Sequence, residues 1–442
     1  MQDKRPTGSF FKDSALLLAN NMLMFAVALG SGILVARGLG PEGRGIYAIA
    51  MLFPTLLAGL GGMGINTSLI YFINRHPEER PGAAGGALAY SVGAGIILGL
   101  LLTALAGRIS TGFLHGSGTV FILAAAPLPL LLLLFETFYC FFMAGRDIGN
   151  IAAMNAVKSF THLTLVSALL FFGSLTVMNT IISQSAAAFA ALILGFYALK
   201  GNGTFIGISF KWPVFRRMAS FGLRQHVGTA AQLLNYRADM FIAAALLSPY
   251  QVGLYSVSLA MAEMLWHLPN AAAQVLYPKT TASTKQEADR FTPEVARHVF
   301  FITLLPAAAI WAAADPLIGL LFGREFLHAA VPIKLLLPGA VLLSVSKVLG
   351  SHLSSRGFPQ YNSTASSVSL VSSVTLCLLL IPRWGLAGAA TATSISYLAN
   401  LGVMFYFFRK VSGCGPAELF LPQKSDIRFY RDLLHRAAAS KA

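Results

Sequence analysis

Charged side chains are scarce in this sequence. Asp, Glu, Lys and Arg together make up 11% of the 442 residues, where a soluble domain carries about 25%. Such a chain cannot clothe a water-exposed surface, which excludes a soluble enzyme, a disordered chain and a secreted disulfide scaffold. Cysteine is as sparse, with Cys140, Cys377 and Cys414 alone, and their spacing suits neither a zinc site nor a disulfide framework. Catalytic signatures are missing as well. The sequence holds no HExxH, GxSxG or Walker A motif, and no pair of nearby carboxylates beside a large loop. A non-enzyme without cofactor or metal is expected.

What is present is apolar sequence in long runs. Hydrophobic residues make up 56% of the chain, and they cluster in stretches near the roughly 20 residues that cross a bilayer. Twelve candidate spans follow: 15–36, 46–73, 83–106, 119–144, 150–173, 176–199, 219–247, 252–277, 296–320, 329–354, 361–381 and 385–408. The chain therefore reads as an all-α polytopic membrane protein. The first run follows Lys4, Arg5 and Lys12 and lacks an A-x-A cleavage site, so an uncleaved signal anchor is expected.

The net charge of +15 is read as the Lys/Arg bias of cytoplasmic loops, with no nucleic acid as partner. With the N-terminus inside, twelve spans place 22 Lys/Arg in inside segments and five (Arg37, Arg44, Arg108, Arg324 and Arg383) outside. Eleven or thirteen spans would strand the seven basic residues from Arg409 to Lys441 on the wrong side. Both termini are expected in the cytoplasm.

An internal repeat organises these spans. "ARGLGPEGRGIYAIA" at 36–50 aligns with "AALLSPYQVGLYSVS" at 244–258, setting Leu39 on Leu247, Pro41 on Pro249, Gly45 on Gly253 and Tyr47 on Tyr255. A fainter echo sets Arg146 opposite Arg356 at a nearly equal offset. Each half holds six spans, an even number, so the repeat is parallel, with a pseudo-two-fold axis along the membrane normal. That arrangement suits a transporter working by alternating access. The predicted layout is an N-lobe at 1–199, a linker at 200–218, a C-lobe at 219–408 and a basic tail at 409–442. The linker carries Lys200, Lys211, Arg216, Arg217 and Trp212, and part of it is expected in the interface. The tail is expected either to dock on the inner leaflet or a partner, or to fray.

A charge inside the bilayer is costly and normally faces a cavity or a partner. Polar stripes at helical spacing mark such faces: Gln225, Gln232, Asn235 and Asp239; Ser256, Glu263, His267, Asn270 and Gln274; Ser344, Lys347, Ser351 and Ser354; Asn155, Lys158 and His162. Helix-to-helix glue is the competing reading, and the better one for the small residues. Arg237 and Asp239 sit about 200° apart on a continuous helix and are not a local ion pair. Asp239 continues the stripe, which leaves Arg237 to snorkel or to pair within its own bundle. The cations Lys158, Arg224, Arg237 and Lys347, with Asn20 and Asn66, form the candidate substrate-binding set. Glu136, Asp239, Glu263 and His267 are the candidates for ion coupling, to a proton or a sodium gradient. The balance is mildly positive. It favours an anionic substrate such as a phosphate or diphosphate over a cationic drug, which calls for an unpaired carboxylate or an aromatic cage.

At this point the residues resemble a known family. "ARGLGPEGRGIYAIAMLFPTLLAGLG", "NYRADMFIAAALLSPYQVGLYSVSLAMAEMLWHLPNAAAQVLYP" (235–278), "LFGREFLHAAVPIKLLLPG" (321–339) and "PRWGLAGAATATSISYLANLGVMFYFFRK" (382–410) are similar to segments of the Wzx-type polysaccharide flippases. These form a branch of the multidrug/oligosaccharidyl-lipid/polysaccharide (MOP) exporter superfamily. The resemblance implies a MATE-like, V-shaped transporter of twelve transmembrane helices in two six-helix lobes. It implies movement of an undecaprenyl-diphosphate-linked oligosaccharide across the bacterial cytoplasmic membrane, often coupled to a cation gradient, for cell-surface polysaccharide synthesis. The implied partners are that lipid-linked anionic sugar, membrane lipids and polysaccharide polymerase or assembly proteins. Position by position, it sets Arg37 and Arg44 at the outer mouth and Arg237 and Asp239 on an R-x-D pattern of the seventh helix. The rival readings are a MATE-like drug or metabolite cation antiporter, a membrane polysaccharide polymerase or ligase, and a non-transporting scaffold.

Overall fold

The computed structural model describes residues 7–116, 118–201, 208–423 and 426, with side chains from Met22 onward. Every regular element among them is helical. This is the expected consequence of apolar runs in lipid, where only a helix satisfies each backbone N–H and C=O within its own segment. The helices are α1 (Thr7–Gly61), α2 (Ile65–Arg75), α3 (Arg80–Phe113), α4 (Thr119–Ala125), α5 (Leu128–Ala144), α6 (Ile148–Phe171), α7 (Val177–Gly201), α8 (Trp212–Asn235), α9 (Ala238–Leu246), α10 (Pro249–Glu263), α11 (His267–Ala282), α12 (Lys285–Ala312), α13 (Ala314–Leu321), α14 (Ala330–Ser355), α15 (Pro359–Ser412) and α16 (Pro416–Phe420).

The twelve predicted spans fall largely on helix. The first two share α1, which breaks at Gly40 (φ 66°), and the last two share α15, which breaks at Gly385 (φ 55°). Glycine is the residue that accepts this left-handed backbone without strain. Several spans are interrupted: the second at Gly62–Gly64, the fourth at Ala126–Pro127, the seventh at Tyr236–Arg237, the eighth by a 3₁₀ turn at Met264–Trp266, and the ninth at Ala313. Helix starts are capped where the chain leaves the apolar runs. Asp147 accepts from the Asn150 N–H at 3.1 Å at the head of α6, and Thr284 and Glu287 form a capping box on α12.

The chain divides into two compact units, 1–257 with 318–328, and 258–317 with 329–442. In the first, Phe138, Phe141, Phe142, Met154, Leu69 and Met218 are part of a continuous buried cluster. In the second, Val345, Val348, Leu349, Met404 and Phe408 do the same between α14 and α15. Small residues let these helices approach: a methyl group at Gly339 would sit 2.6 Å from Ser394 Cα, and one at Gly95 2.6 Å from Leu130 Cα.

The two copies of the repeat motif touch each other within the first unit. A methyl group at Gly45 would overlap the Pro249 carbonyl, and one at Gly253 would overlap the Pro41 carbonyl. The contact is reciprocal, as in a self-complementary two-fold interface. Each glycine is required because the other copy's backbone lies where its side chain would be.

Candidate functional site

A charge inside a bilayer span normally faces a cavity or a partner, so the spans that carry charges point to the site. Seven helical stretches of the described residues are long and apolar enough to cross a membrane, and together they account for nine of the twelve predicted spans. The remaining three are α6, α8 with α9, and α10 with α11. These are the helices that carry Lys158, Arg224, Arg237, Asp239, Glu263 and His267.

In the first unit, Lys158 on α6 is half-buried, with Nζ 4.4 Å from the centre of the Phe135 ring on α5. Next to Phe135, Glu136 is exposed, and its charge interacts with that of Lys158. One turn along α6, His162 Nδ1 bonds the Ser183 hydroxyl of α7 at 3.1 Å, and the charges of Arg44 and Lys158 both act on it. Arg44 lies 5.4 Å over the Tyr47 ring, and its Nε is buried without a hydrogen-bond partner. A row of groups therefore runs Glu136, Lys158, His162, Arg44 through one unit.

Arg37 and Arg44, paired by the sequence reading, have different surroundings. Arg37 Nε donates to the Leu321 carbonyl at 2.8 Å and Nη2 to that of Leu320. It satisfies the open C-terminal carbonyls of α13. Arg44 instead joins the row that holds Lys158.

Asp239 is 1% exposed and accepts from Tyr255 Oη and from the Met240 N–H, each at 2.7 Å. The helix breaks at Tyr236–Arg237, so the rotation that separates Arg237 from Asp239 on a continuous helix does not apply. Arg237 precedes the first residue of α9 and is half-buried. Asn66 is tied into packing: its Oδ1 accepts from Thr137 Oγ1 at 3.0 Å, and Thr137 also bonds Ser91 at 2.6 Å, joining α2, α5 and α3. Arg224 is exposed and donates to Ser220 of its own helix. The Asn20 side chain lies outside the described residues.

In the second unit, Lys347 on α14 donates to Asn270 Oδ1 at 2.9 Å and stands 4.4 Å from the Trp266 ring centre. The charge of Glu263 acts on Lys347, and that of Lys347 on His267. The stretch Glu263–Asn270 thus surrounds one lysine with a carboxylate, an indole, an imidazole and an amide. Both lysines rest on aromatic faces, a contact worth about 0.5–2 kcal/mol. Sequence reading missed Phe135 and Trp266. The signal was present: each aromatic sits directly beside an ionisable residue, Glu136 or His267.

Residues 34–331 match the family model described as polysaccharide biosynthesis protein. The chain belongs to that family. This family member is 22% identical over 417 residues to the putative O-antigen transporter of Shigella flexneri, spanning 91% of this chain and 98% of that protein. It is also 22% identical over 260 residues to the probable low-salt glycan biosynthesis flippase Agl15 of Haloferax volcanii, across 57% of this chain and 53% of that one. Among solved structures it resembles the lipid II flippase MurJ in its inward closed conformation, with TM-score 0.75, 13% identity and 90% of each chain covered. It resembles an inward-facing multidrug resistance MATE family transporter of the MOP superfamily with TM-score 0.72 and 15% identity, over 90% of this chain and 98% of the other. The fold of this polysaccharide biosynthesis family member is accordingly that of the MOP-superfamily transporters, and the twelve-span, two-lobe layout expected from the sequence is consistent with it.

Proposed function

We propose that the chain is a flippase-type transporter that carries a polyprenyl-diphosphate-linked oligosaccharide across the bacterial cytoplasmic membrane for cell-surface polysaccharide synthesis. The observation that carries this reading is the placement of Lys158 and Lys347. Each is a cation within a predicted span, resting on an aromatic face, and suited to bind a phosphate oxygen by charge-assisted hydrogen bonding. The names of the relatives, an O-antigen transporter and a glycan flippase, support it. In this account undecaprenyl diphosphate is the carrier, with Arg44 as a further contact for the anionic head. Arg224 and Arg237 serve entry or packing, and both termini face the cytoplasm. The halves, 1–199 and 219–408, work by alternating access, joined by the linker at 200–218. A proton or sodium ion taken up at Glu136, Asp239, Glu263 or His267 couples the cycle. Polysaccharide polymerase and assembly proteins receive the product.

Deletion of the gene in its host tests this. The lipid-linked oligosaccharide is expected to accumulate facing the cytoplasm while polymer disappears from the surface. Unchanged surface polymer in the deletion strain contradicts the reading. The second reading, a cation antiporter, is favoured by the exposure of Glu136. It predicts efflux of a cationic dye that Glu136→Gln abolishes.

A further inference from the structure

Helix α8 presents three distinct faces. One packs: Gly222 lies against Gly64, His226 Nε2 bonds the Leu60 carbonyl at 2.8 Å, and Leu233 fills the space over Gly59. A second is apolar and open, with Leu223 48% and Val227 67% exposed. The third is polar and open. Gln225, Thr229 and Gln232 are exposed, and Tyr236 follows half-buried. At 100° per residue these four fall within about 60° of one another. Gln232 Nε2 donates to Tyr236 Oη at 3.1 Å and Thr229 reaches its own helix at 3.5 Å, while the Gln225 amide has no hydrogen-bond partner among the described residues.

In a membrane the apolar open face is satisfied by lipid. The polar open face is not, because an amide without a partner in hydrocarbon costs several kcal/mol. It must meet water or a ligand. The stripe is uncharged, whereas the cations that suit a diphosphate stand on α1, α6 and α14. What remains of the proposed cargo, once its charged head and its apolar tail are assigned, is a neutral, hydroxyl-rich portion. Primary amides offer a donor and an acceptor side by side, the pairing that vicinal hydroxyls require.

We propose that the stripe Gln225, Thr229, Gln232 and Tyr236 binds the saccharide of the cargo and sets its specificity. This rests on the transporter reading above and adds to it the part of the protein that reads sugar.

The test uses the full chain in nanodiscs and two probes, undecaprenyl diphosphate and the same lipid bearing N-acetylglucosamine. The wild type is expected to bind the glycosylated lipid about tenfold more tightly, the worth of one or two net hydrogen bonds. The double variant Gln225→Leu/Gln232→Leu is expected to lose that preference while binding undecaprenyl diphosphate as before. Leucine suits both helix and lipid, and the single variant Gln232→Met, which must lose about threefold of the preference, serves if the double fails to fold. A preference kept in the folded variants, or a loss of both lipids together, overturns the proposal. Equal binding of both lipids by the wild type also overturns it while leaving the transporter reading intact. Binding of neither lipid by the wild type removes both.

Discussion

The residue whose environment departs furthest from its sequence reading is Arg297. It counts as an ordinary inside-loop cation, yet it is 2% exposed. Its Nε and Nη2 donate to the two oxygens of Asp426 at 2.5 and 2.6 Å, and Nη1 donates to the Glu418 carbonyl. Asp426, within the region expected as a basic tail that docks or frays, is therefore held by α12, which also binds the carbonyl of Glu418 on α16. Residues 424, 425 and 427–442, with the rest of that expected tail, lie outside the described residues. Asp426→Asn leaves a buried guanidinium uncompensated and should cost about 3–5 kcal/mol, read as a lower melting temperature of the purified protein. The Arg297 guanidinium holds the Asp426 carboxyl below its ordinary range. A depressed value in the folded state means the contribution is complete above the unfolded value near about 4 and is lost as pH falls through the folded value. The wild type should therefore lose its advantage over Asp426→Asn only on acidification below about pH 4, and an equal gap at all pH values would contradict the pairing.

At the scale of elements, glycines decide which helices meet. Gly253→Ala places a methyl group on the Pro41 carbonyl. Backbone cannot swing aside as a side chain does, so a loss of at least about 2 kcal/mol is expected. Gly107, inside α3, has open space around it. Gly107→Ala should leave melting unchanged or raise it slightly through helix propensity. Equal tolerance at both positions would refute the repeat contact. This contact shows what the sequence can and cannot reveal. The matched Pro and Gly of the two copies were legible as a repeat, because tight turns preserve residue type. That the copies touch each other was not, since offset carries no distance. The helix breaks behave the same way. Gly40 and Pro41 marked a loop openly, but the break at Tyr236–Arg237 has no Pro or Gly to announce it, so the rotation inferred for Arg237 and Asp239 assumed a continuous helix that is absent there. Within the candidate site, Lys158 and Lys347 stood out as charges in apolar runs. Their aromatic supports did not, because Phe135 and Trp266 look like any membrane aromatic until α5 is set beside α6 and α14 beside the 3₁₀ turn.

For the whole molecule, the even count of spans follows from where the basic residues fall, and it is checked by reporters fused after Lys12 and after Arg409. Both should be active only as cytoplasmic fusions; a phosphatase active at either position would remove a span from the account. Two bundles alone do not define a flippase, since the fold also serves multidrug transporters. The central claim is that cations inside the bundle carry an anionic lipid-linked sugar across. Its most direct measurement is transfer of undecaprenyl-diphosphate oligosaccharide between leaflets of proteoliposomes, with and without a proton or sodium gradient, for the wild type and for Lys158→Ala/Lys347→Ala. The account predicts transfer by the wild type and at least a tenfold loss, about 1.4 kcal/mol of binding, in a folded double variant. Full transfer by that variant would contradict it.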